Sequence, residues 1–381
     1  MLSDISCSFS AIVAFTVVFV VCGVEALLLL LGIGGAERVM ANLSVFFDKQ
    51  GIDVHNIIVI DEVSYDFSGK LLNLGKLKNK SNGIFNKLKR FLILKNYLKN
   101  NNFDFIIDFR FRNKPLQELL ISKFIYKSKT IFTVHSYLIE HYMSNWSFLT
   151  RFTHKNSYKI VTVTNKTKEL IEQKHQLLNV QTIYNPINFK EIQSKSNEPI
   201  DLNFEYIIGI GQMDTDVKQF DKLIVAYSNS LLPKQNIHLV LVGEGLKIPD
   251  YKIVAKQNKV EEKVHFVGFQ KNPYSYLKNA KFLVLSSKNE GMPNVILEAF
   301  ACETPVVSFD CLSGPSEMII NKSNGLLVEN QNLEKLTEAM NLLILDTELY
   351  TICKENALPN SQHFSIETIG KQWLDLMQIN K

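Results

Sequence analysis

Short apolar runs alternate with longer amphipathic stretches from about residue 26 to the end of the chain. This rhythm is typical of strands and helices that alternate in a parallel sheet. The first series of predicted strands is Ala26–Leu31, Ile57–Ile60, Phe105–Phe109, Thr130–Val134 and Lys159–Thr164. The second series is Tyr206–Ile210, His238–Val242, Val264–Val267, Phe282–Leu285 and Pro305–Phe309. The pattern therefore predicts an α/β protein with two parallel sheets.

Amphipathic stretches between these runs predict helices, of which the clearest are Glu37–Lys49, Ile84–Lys99, Phe220–Ser230, Tyr274–Asn279, Val295–Ala301 and Ser365–Gln378. The two series are separated by Tyr184-Asn185-Pro186-Ile187, where a Pro after an Asn indicates a turn. A chain of 381 residues is also long enough for two domains. We predict an N-terminal domain at 1–185, a C-terminal domain at 186–364, and a last helix at 365–381 that packs back on the N-terminal domain.

The N-terminus carries an apolar run from Ala11 to Leu31 in which Glu25 is the only charge. Its length just reaches that of a membrane span. The part from Ala26 onward is better explained as a strand that is buried on both faces, because such strands are continuously apolar. Residues 1–25 are then an atypical apolar extension, and two explanations stay open: a membrane-contacting or spanning segment, or an atypical start of the chain.

Composition narrows the class of protein. With 46% hydrophobic and 21% charged residues the chain is typical of globular proteins, and a net charge of +4 gives little support to nucleic-acid binding. The five cysteines are odd in number and contain no CxxC pair, which argues against a disulfide framework and a zinc site. A reducing cytosol is the expected location.

Basic residues concentrate between Lys70 and Lys129, where the sequence contains fifteen Lys or Arg and three acidic residues. Within this region the predicted helix Ile84–Lys99 interleaves Lys and Arg with Ile, Leu and Phe. Cationic amphipathic helices bind anionic membrane surfaces, so we predict peripheral attachment to the cytoplasmic membrane face. The alternative is an ordinary charged surface helix.

The segment from Asn289 to Phe300 is the most informative one for chemistry, because it follows a predicted strand and opens a helix. Pro293 suits the first helical position, which leaves the amides of Asn294 and Val295 free for a phosphate. Glu298 shares a helix face with these two residues, where it can bind ribose hydroxyls. Glu290 precedes the helix and can reach the hydroxyls of a bound sugar.

Each candidate residue also has a simpler explanation. Glu290 and Glu298 can be two solvated carboxylates that flank a helix start. His135 can be a buried, hydrogen-bonded histidine, and Lys218 a solvated loop charge. Asp214-Thr215-Asp216 spells a DxD, which can hold a metal, but its place in the loop after a strand favours a surface turn.

Glu290 and Glu298 form an E-x7-E pattern that resembles the large retaining glycosyltransferase family 4, which has the GT-B fold. Further segments resemble motifs of that family in the same order along the chain: Gly32–Arg38, Val134–Ser136, Tyr184–Ile187, Gly211–Asp221, Val242–Gly245, Val267–Phe269 and Asn324–Leu327. The segment Asp310–Glu317 is similar to one in members that act on lipid-linked or surface-polysaccharide acceptors. The resemblance covers the chain from about Leu27 onward.

The resemblance implies two Rossmann-like domains whose sheets face an interdomain cleft, and a nucleotide diphosphate sugar, UDP-sugar favoured, bound by the second domain. The implied catalytic residues are Glu290, His135 and Lys218. The implied donor-binding residues are Glu298, Gly291, Met292, Asn294, Val295, Gln212, Gly243 and Phe269. Gly34 and Gly35 are assigned to the acceptor or phosphate loop. Gln212 stands where the family has an arginine, which removes one fixed positive charge.

The reaction implied is sugar transfer with retention to a glycan or lipid-linked glycan acceptor in cell-surface polysaccharide biosynthesis, without a metal or another cofactor. A non-catalytic nucleotide-sugar-binding protein on the same scaffold is one alternative. An enzyme of the same fold that uses another phosphorylated partner, such as a phosphorylase, is a second.

Overall fold

The computed structural model describes residues 18–21, 25–28, 35–79 and 83–379. Two compact units account for the contacts along the chain: the first contains 1–134, 139–161 and 171–180, and the second contains 135–138, 162–170 and 181–381. The second unit thus includes two short segments, 135–138 and 162–170, that come before its main part, 181–381, in the sequence. The boundary at residue 185 and the docking of the last helix on the N-terminal domain stay predictions.

Within the described residues the first sheet has eight strands. They are β1 Val18–Val21, β2 Glu25–Leu28, β3 Asp53–Ile58, β4 Lys70–Asn73, β5 Phe105–Asp108, β6 Lys129–Val134, β7 Lys159–Thr162 and β8 Val180–Thr182. The strand order is β2-β3-β1-β5-β6-β7-β8, with β4 paired to β3. The pairs β2–β3, β3–β4 and β5–β6 are parallel, as predicted.

Strand β1 departs from the predicted parallel sheet, because it runs antiparallel to both β3 and β5. Strand β2, which follows β1 in the chain, is parallel to β3, so β1 and β2 run in opposite directions. Part of the predicted extension at 1–25 is therefore a strand of the sheet. Most of the apolar run Ala11–Leu31 lies outside the described residues, and the membrane span stays a prediction.

The second sheet is parallel throughout its observed pairs. Its strands are β9 Tyr206–Ile210, β10 His238–Val242, β11 Val264–Phe266, β12 Leu283–Leu285, β13 Val306–Phe309 and β14 Gly325–Val328. They lie in the order β11-β10-β9-β12-β13-β14, which is the Rossmann order. The order reverses between β9 and β12, and ligands of such sheets bind at the carboxyl ends of the strands on either side of that point.

Helices cover both sheets. They are α1 Gly35–Lys49, α2 Ile84–Asn100, α3 Pro115–Leu120, α4 Ser147–His154, α5 Asn165–His175, α6 Phe189–Lys195, α7 Phe220–Asn229, α8 Ile248–Gln257, α9 Tyr274–Asn279, α10 Asn294–Ala301, α11 Pro315–Met318, α12 Leu333–Leu345, α13 Thr347–Ala357 and α14 Ile366–Met377. A π-helical turn, Ile121–Ile125, extends α3, and short 3-10 turns occupy Ile139–His141, Pro233–Gln235, Glu261–Lys263 and Pro359–Phe364.

Alternate residues of the second sheet contribute to different cores. Ile208 and Val240 pack in one apolar cluster, whereas Ile207, Leu239 and Leu241 pack in another. Both faces of the sheet are therefore covered, which explains why its strands are continuously apolar in the sequence. In the part of the chain that the structure describes, no helix is long and apolar enough to cross a membrane.

Candidate functional site

Lys218 and Glu290 form an ion pair at the point where the strand order of the second sheet reverses. Lys218 lies between β9 and α7, and Glu290 lies between β12 and α10. The Lys218 Nζ is 2.6 Å from the Glu290 Oε1, and the two side chains are 21% and 12% exposed. The fold thus places a cation and a carboxylate, both partly open to solvent, where a Rossmann sheet binds its ligand.

Backbone contacts join the two loops that carry this pair. The Lys288 N–H donates to the Val217 carbonyl at 2.8 Å. The buried Ser286 hydroxyl donates to the Lys218 carbonyl at 2.7 Å. The position of Lys218 relative to Glu290 is therefore set by the backbone as well as by the ion pair.

Gly291 allows the closest approach of two chain segments at this site. A Cβ on Gly291 would lie 2.0 Å from the His135 carbonyl oxygen, so no larger residue fits without a shift. His135 itself is half-buried and belongs to the same compact unit as Gly291. The structure therefore brings the His135 backbone next to the loop of Glu290, and the catalytic roles of the two residues stay predictions.

Helix α10 begins at Asn294, one residue before the predicted range Val295–Ala301 and one residue after Pro293, which was expected at the first helical position. Pro293 is the residue that precedes the helix, with extended backbone angles (φ −73°, ψ 96°), and the Ile296 N–H donates to its carbonyl. Pro293 thus does not occupy the first helical position. Asn294 and Val295 occupy the first turn of the helix, and helix N-termini are places where anions bind. The correction leaves the predicted phosphate-binding amides in place.

The turn at Asn185 supports the start of α10. The Asn185 N–H donates to the Met292 sulfur at 3.1 Å, and its side-chain amide donates to the Asn294 Oδ1 at 2.8 Å. The sequence predicted only a hinge at Asn185. Its contacts show that it also positions Met292 and Asn294, two of the predicted donor-binding residues.

Glu298 lies one turn into α10 and is 5% exposed. Burial raises the pKa of the neighbouring Cys302 thiol to about 12, with a smaller contribution from the Glu298 charge. A carboxylate with this little exposure is uncommon outside pairs and ligand sites. The alternative of a solvated carboxylate is therefore wrong for Glu298.

The remaining predicted donor-binding residues follow adjacent strands of the second sheet. Gln212 follows β9, Gly243 follows β10 and Phe269 follows β11. Gln212 and Phe269 have exposed side chains, and Gly243 has a φ of +139° and lies against the Gly211 carbonyl, where a Cβ would be only 2.0 Å away. These residues therefore lie at the same edge of the sheet as the ion pair.

The predicted acceptor loop is only partly described. Gly35 is the first residue of α1 and is exposed. Gly34 lies outside the described residues.

Both carboxylates of the DxD segment have partners in the protein. The Asp214 Oδ1 accepts the Leu246 N–H at 3.1 Å, and Asp216 forms an ion pair with Lys247. Within the described residues no group of three or more His, Cys, Asp or Glu is arranged to hold a metal ion.

The segment Ser313–Glu317 makes contacts that the sequence did not predict. The buried Ser313 hydroxyl donates to the Gly291 carbonyl at 3.1 Å and lies 2.7 Å from the Thr164 hydroxyl. Glu317 accepts the Asn165 N–H at 2.8 Å and the Tyr184 hydroxyl at 3.0 Å. Burial, reinforced by Glu317, raises the pKa of Tyr184 to about 12. In the sequence, the likeness of Asp310–Glu317 to a family segment was the one sign that these residues make such contacts.

Two arginines of the basic region are buried instead of forming a surface patch. Arg110 bonds both oxygens of Asp108, at 2.9 Å each from its Nε, and its NH1 donates to Glu118 at 2.9 Å. Burial alone would lower the pKa of Arg110, but Asp108 and Glu118 raise it well above its usual value. The Arg112 guanidinium donates to the carbonyls of residues 108, 110, 133 and 142. The sequence could not separate these arginines from the surface lysines around them.

Solved structures resemble this arrangement of sheets. Anabaena Alr3699/HepE in complex with UDP and glucose superposes with a TM-score of 0.74 at 18% identity, over 92% of this chain and 98% of that chain. At this identity the likeness shows the fold alone. The chain therefore has the α/β fold of GT-B glycosyltransferases.

The chain belongs to glycosyltransferase family 4. The family described as Glycosyltransferase Family 4 matches residues 33–191, and Glycosyl transferases group 1 matches residues 190–358. A Campylobacter jejuni relative, N-acetylgalactosamine-N,N'-diacetylbacillosaminyl-diphospho-undecaprenol 4-alpha-N-acetylgalactosaminyltransferase, is 30% identical over 90% of this chain and 96% of its own. The amylovoran biosynthesis glycosyltransferase AmsD of Erwinia amylovora is 27% identical over the same shares. The predicted family and enzyme class are confirmed.

Proposed function

We propose that this glycosyltransferase moves a sugar from a nucleotide diphosphate sugar, UDP-sugar favoured, to a glycan or lipid-linked glycan acceptor in cell-surface polysaccharide biosynthesis, with retention of the anomeric configuration. The ion pair of Lys218 and Glu290, at 2.6 Å beside the start of α10, is the observation that carries the proposal. The names of the two relatives, of which one specifies a diphospho-undecaprenol acceptor and the other amylovoran biosynthesis, support the acceptor class.

Lys218 binds the diphosphate in this proposal. An ammonium group has three donors, so Lys218 can keep its bond to Glu290 and donate to a phosphate oxygen as well. The amides of Asn294 and Val295, at a helix N-terminus, add donors that cost no reorganisation when charge develops on the leaving group. Gln212 supplies no fixed charge, so the diphosphate depends more strongly on Lys218.

Glu290 orients the transferred sugar through its hydroxyls, and Glu298 binds the ribose. His135 contacts the sugar or the charge that develops on it, while Gly291, Met292, Gly243 and Phe269 shape the donor site. The acceptor hydroxyl attacks on the face from which the nucleotide leaves, and the departing β-phosphate takes its proton. No separate base is required in this scheme. Gly34 and Gly35 belong to the acceptor side.

A donor panel tests this function directly. Purified enzyme is incubated with UDP-, GDP- and ADP-sugars, with and without a polyprenyl-diphosphate glycan, and nucleotide release is measured. We expect acceptor-dependent release from a UDP-sugar, and proton NMR of the product should show the anomeric configuration of the donor. Release from GDP-sugars alone would contradict the nucleotide assignment, and an inverted product would contradict retention.

The proposed reaction needs no metal, because Lys218 and helix amides meet the phosphate charge. Turnover after exhaustive treatment with EDTA should match that of untreated enzyme. Loss of turnover that manganese restores would contradict this and make Asp214 and Asp216 candidate ligands.

Helix α2 is the proposed contact with the cytoplasmic face of the membrane. Ile84 and Phe85 are 80% and 88% exposed, and exposed lysines at 87, 89, 95 and 99 accompany them. Each basic residue near an anionic surface contributes about 1 kcal/mol at modest salt. The full chain should sediment with anionic but not neutral vesicles, and reversal of Lys87, Lys89 and Arg90 should weaken this binding. Binding that this charge reversal leaves unchanged would contradict the role of α2.

A further inference from the structure

Helix α3 and the π-helical turn that extends it expose an apolar stripe. Leu116, Leu120 and Phe124 recur every four residues, and they are 74%, 52% and 63% exposed. Residues four apart lie on the same side of a helix. This element therefore presents a row of large apolar side chains to its surroundings.

The buried side of the same element carries a charge. Glu118 is 5% exposed and accepts a hydrogen bond from Arg110 at 2.9 Å, next to buried Ile121 and Ile125. Burial of an ion pair carries a large desolvation cost, whereas Leu and Phe gain from leaving water. A helix that contacts only water on its outer side is expected to bury its leucines and expose its carboxylates. This helix does the reverse.

Helix α4 continues this apolar surface. Phe148 and Phe152 are 75% and 54% exposed, and their rings stack with centroids 6.4 Å apart. The Lys123 Nζ, from the π-helical turn, lies 5.0 Å from the centre of the Phe152 ring and so joins the two elements. We define the aromatic face as the exposed side chains of Leu116, Leu120, Phe124, Trp146, Phe148 and Phe152.

A basic cavity of about 310 Å³ adjoins the aromatic face. Lys123, Lys127 and Lys129 line it together with hydroxyl-bearing side chains such as Ser128 and Tyr158, and none of its lining residues in the described chain is acidic. From 113 to 157, the one exposed acidic residue is Glu140, against exposed lysines at 114, 123, 127, 129 and 155. The surroundings of the aromatic face are therefore strongly positive.

We propose that the aromatic face and the basic cavity together form a docking surface for an anionic lipid bilayer. The three cavity lysines bind lipid phosphate groups, and the apolar side chains enter the boundary between headgroups and acyl chains. Lysine is depleted in protein–protein interfaces, whereas Lys with Phe, Trp and Leu is the composition of helices that lie in a membrane interface. Its residues differ from those of α2, and the proposal does not depend on the proposed sugar transfer.

Vesicle sedimentation of the full chain tests the proposal. We expect binding to vesicles of phosphatidylcholine with phosphatidylglycerol and much weaker binding to pure phosphatidylcholine. The double variant Phe148→Ser, Phe152→Ser should bind about tenfold more weakly, because each Phe loses apolar contact with lipid. The triple variant Lys123→Ser, Lys127→Ser, Lys129→Ser should lose most of the preference for anionic vesicles. Leu345→Ser and Lys354→Ser, at exposed positions of the second unit, are matched controls that should bind normally.

Tryptophan fluorescence locates the contact without reference to activity. The chain has two tryptophans, of which Trp146 is 76% exposed beside α4 and Trp373 is 3% exposed. Anionic vesicles should shift the Trp146 emission to the blue, and lipids with brominated acyl chains should quench it. Trp146→Phe should abolish the response. The double variant Phe85→Ser, Leu88→Ser alters α2 and leaves Trp146 in place. Brominated lipids should still quench the Trp146 emission of whatever part of this variant binds to the vesicles.

Two results would overturn the proposal. One is unquenched Trp146 in vesicle-bound protein together with normal sedimentation of the Phe148→Ser, Phe152→Ser variant. The other is a lipid-free dimer, detected by sedimentation velocity, that the same variant converts to monomer, because the aromatic face would then be covered by a second copy. Unchanged circular dichroism and unchanged UDP binding confirm that the variants are folded, so that failure here can be told apart from failure of the proposed function.

Discussion

Each of the two compact units contains ion pairs between residues at or just after the ends of strands, but the exposed fractions of the paired side chains differ. In the first unit Asp108 ends β5 and Arg110 follows it, and the side chains of Asp108, Arg110 and Glu118 are at most 6% exposed. In the second unit Lys218 and Glu290 follow β9 and β12 and are 21% and 12% exposed. The chemical groups are alike, and their surroundings differ.

This difference separates a structural group from a candidate ligand site. The Arg110 guanidinium donates to the carboxylates of Asp108 and Glu118, and the Tyr126 hydroxyl also donates to Asp108. These buried groups are therefore not accessible to a ligand. Lys218 keeps donors beyond the one that bonds Glu290, and a helix N-terminus begins four residues after that carboxylate. Partial access and spare donors, more than charge itself, indicate which group can bind phosphate and sugar.

The largest effect is expected from Arg110→Met. It leaves the carboxylates of Asp108 and Glu118 buried without a countercharge, and loss of one partner of a buried pair costs about 3–5 kcal/mol. The free energy of unfolding, measured in urea by circular dichroism, should fall by that amount. Lys218→Met is the matched control and should cost about 1 kcal/mol or less, because its pair is partly solvated. Equal losses would remove the distinction between the two groups.

Lys218→Met should have the next largest effect, on turnover. Removal of one donor that stabilises developing charge lowers kcat roughly 10²- to 10³-fold. Steady-state nucleotide release measures it, and Lys218→Arg should recover part of the loss by restoring the charge. A decrease of only a few-fold would show that the helix amides suffice for the leaving group.

Glu290→Gln should lower turnover roughly 10- to 100-fold, since a hydrogen bond to a charged group contributes about 1.5–3 kcal/mol. Binding of free UDP, measured by calorimetry, should change little, because the predicted partner of Glu290 is the sugar. If UDP binding weakened as much as turnover, Glu290 would instead act on the nucleotide.

The smallest effect is expected from Glu298→Ala, which should weaken donor binding about tenfold by removing ribose contacts. Glu298→Gln keeps the shape of this buried side chain and should lose less. An unchanged melting temperature in Glu298→Gln shows that packing is intact. Donor affinity equal to that of the unaltered protein in both variants would refute the ribose assignment.

Much of the fold could be predicted, because strand and helix patterns are local. Strands β9 and β10 and helix α9 begin and end where the sequence predicted. Pro293 was placed one residue too far into its helix, since a proline suits both the first helical position and the residue before it. Strand β1 was not predicted, because an apolar run alone does not distinguish a strand from a membrane-contacting segment.

The sequence by itself determined the alternation of strands and helices, the family, and the spacing of Glu290 and Glu298, because each of these depends on residues close together in the chain. Only the tertiary structure decided that Lys218 bonds Glu290 across 72 positions and that the His135 carbonyl touches Gly291. It also decided that Arg110 is buried while Lys123 is exposed. Burial and long-range pairing depend on how distant segments pack, and local sequence patterns carry no record of that packing.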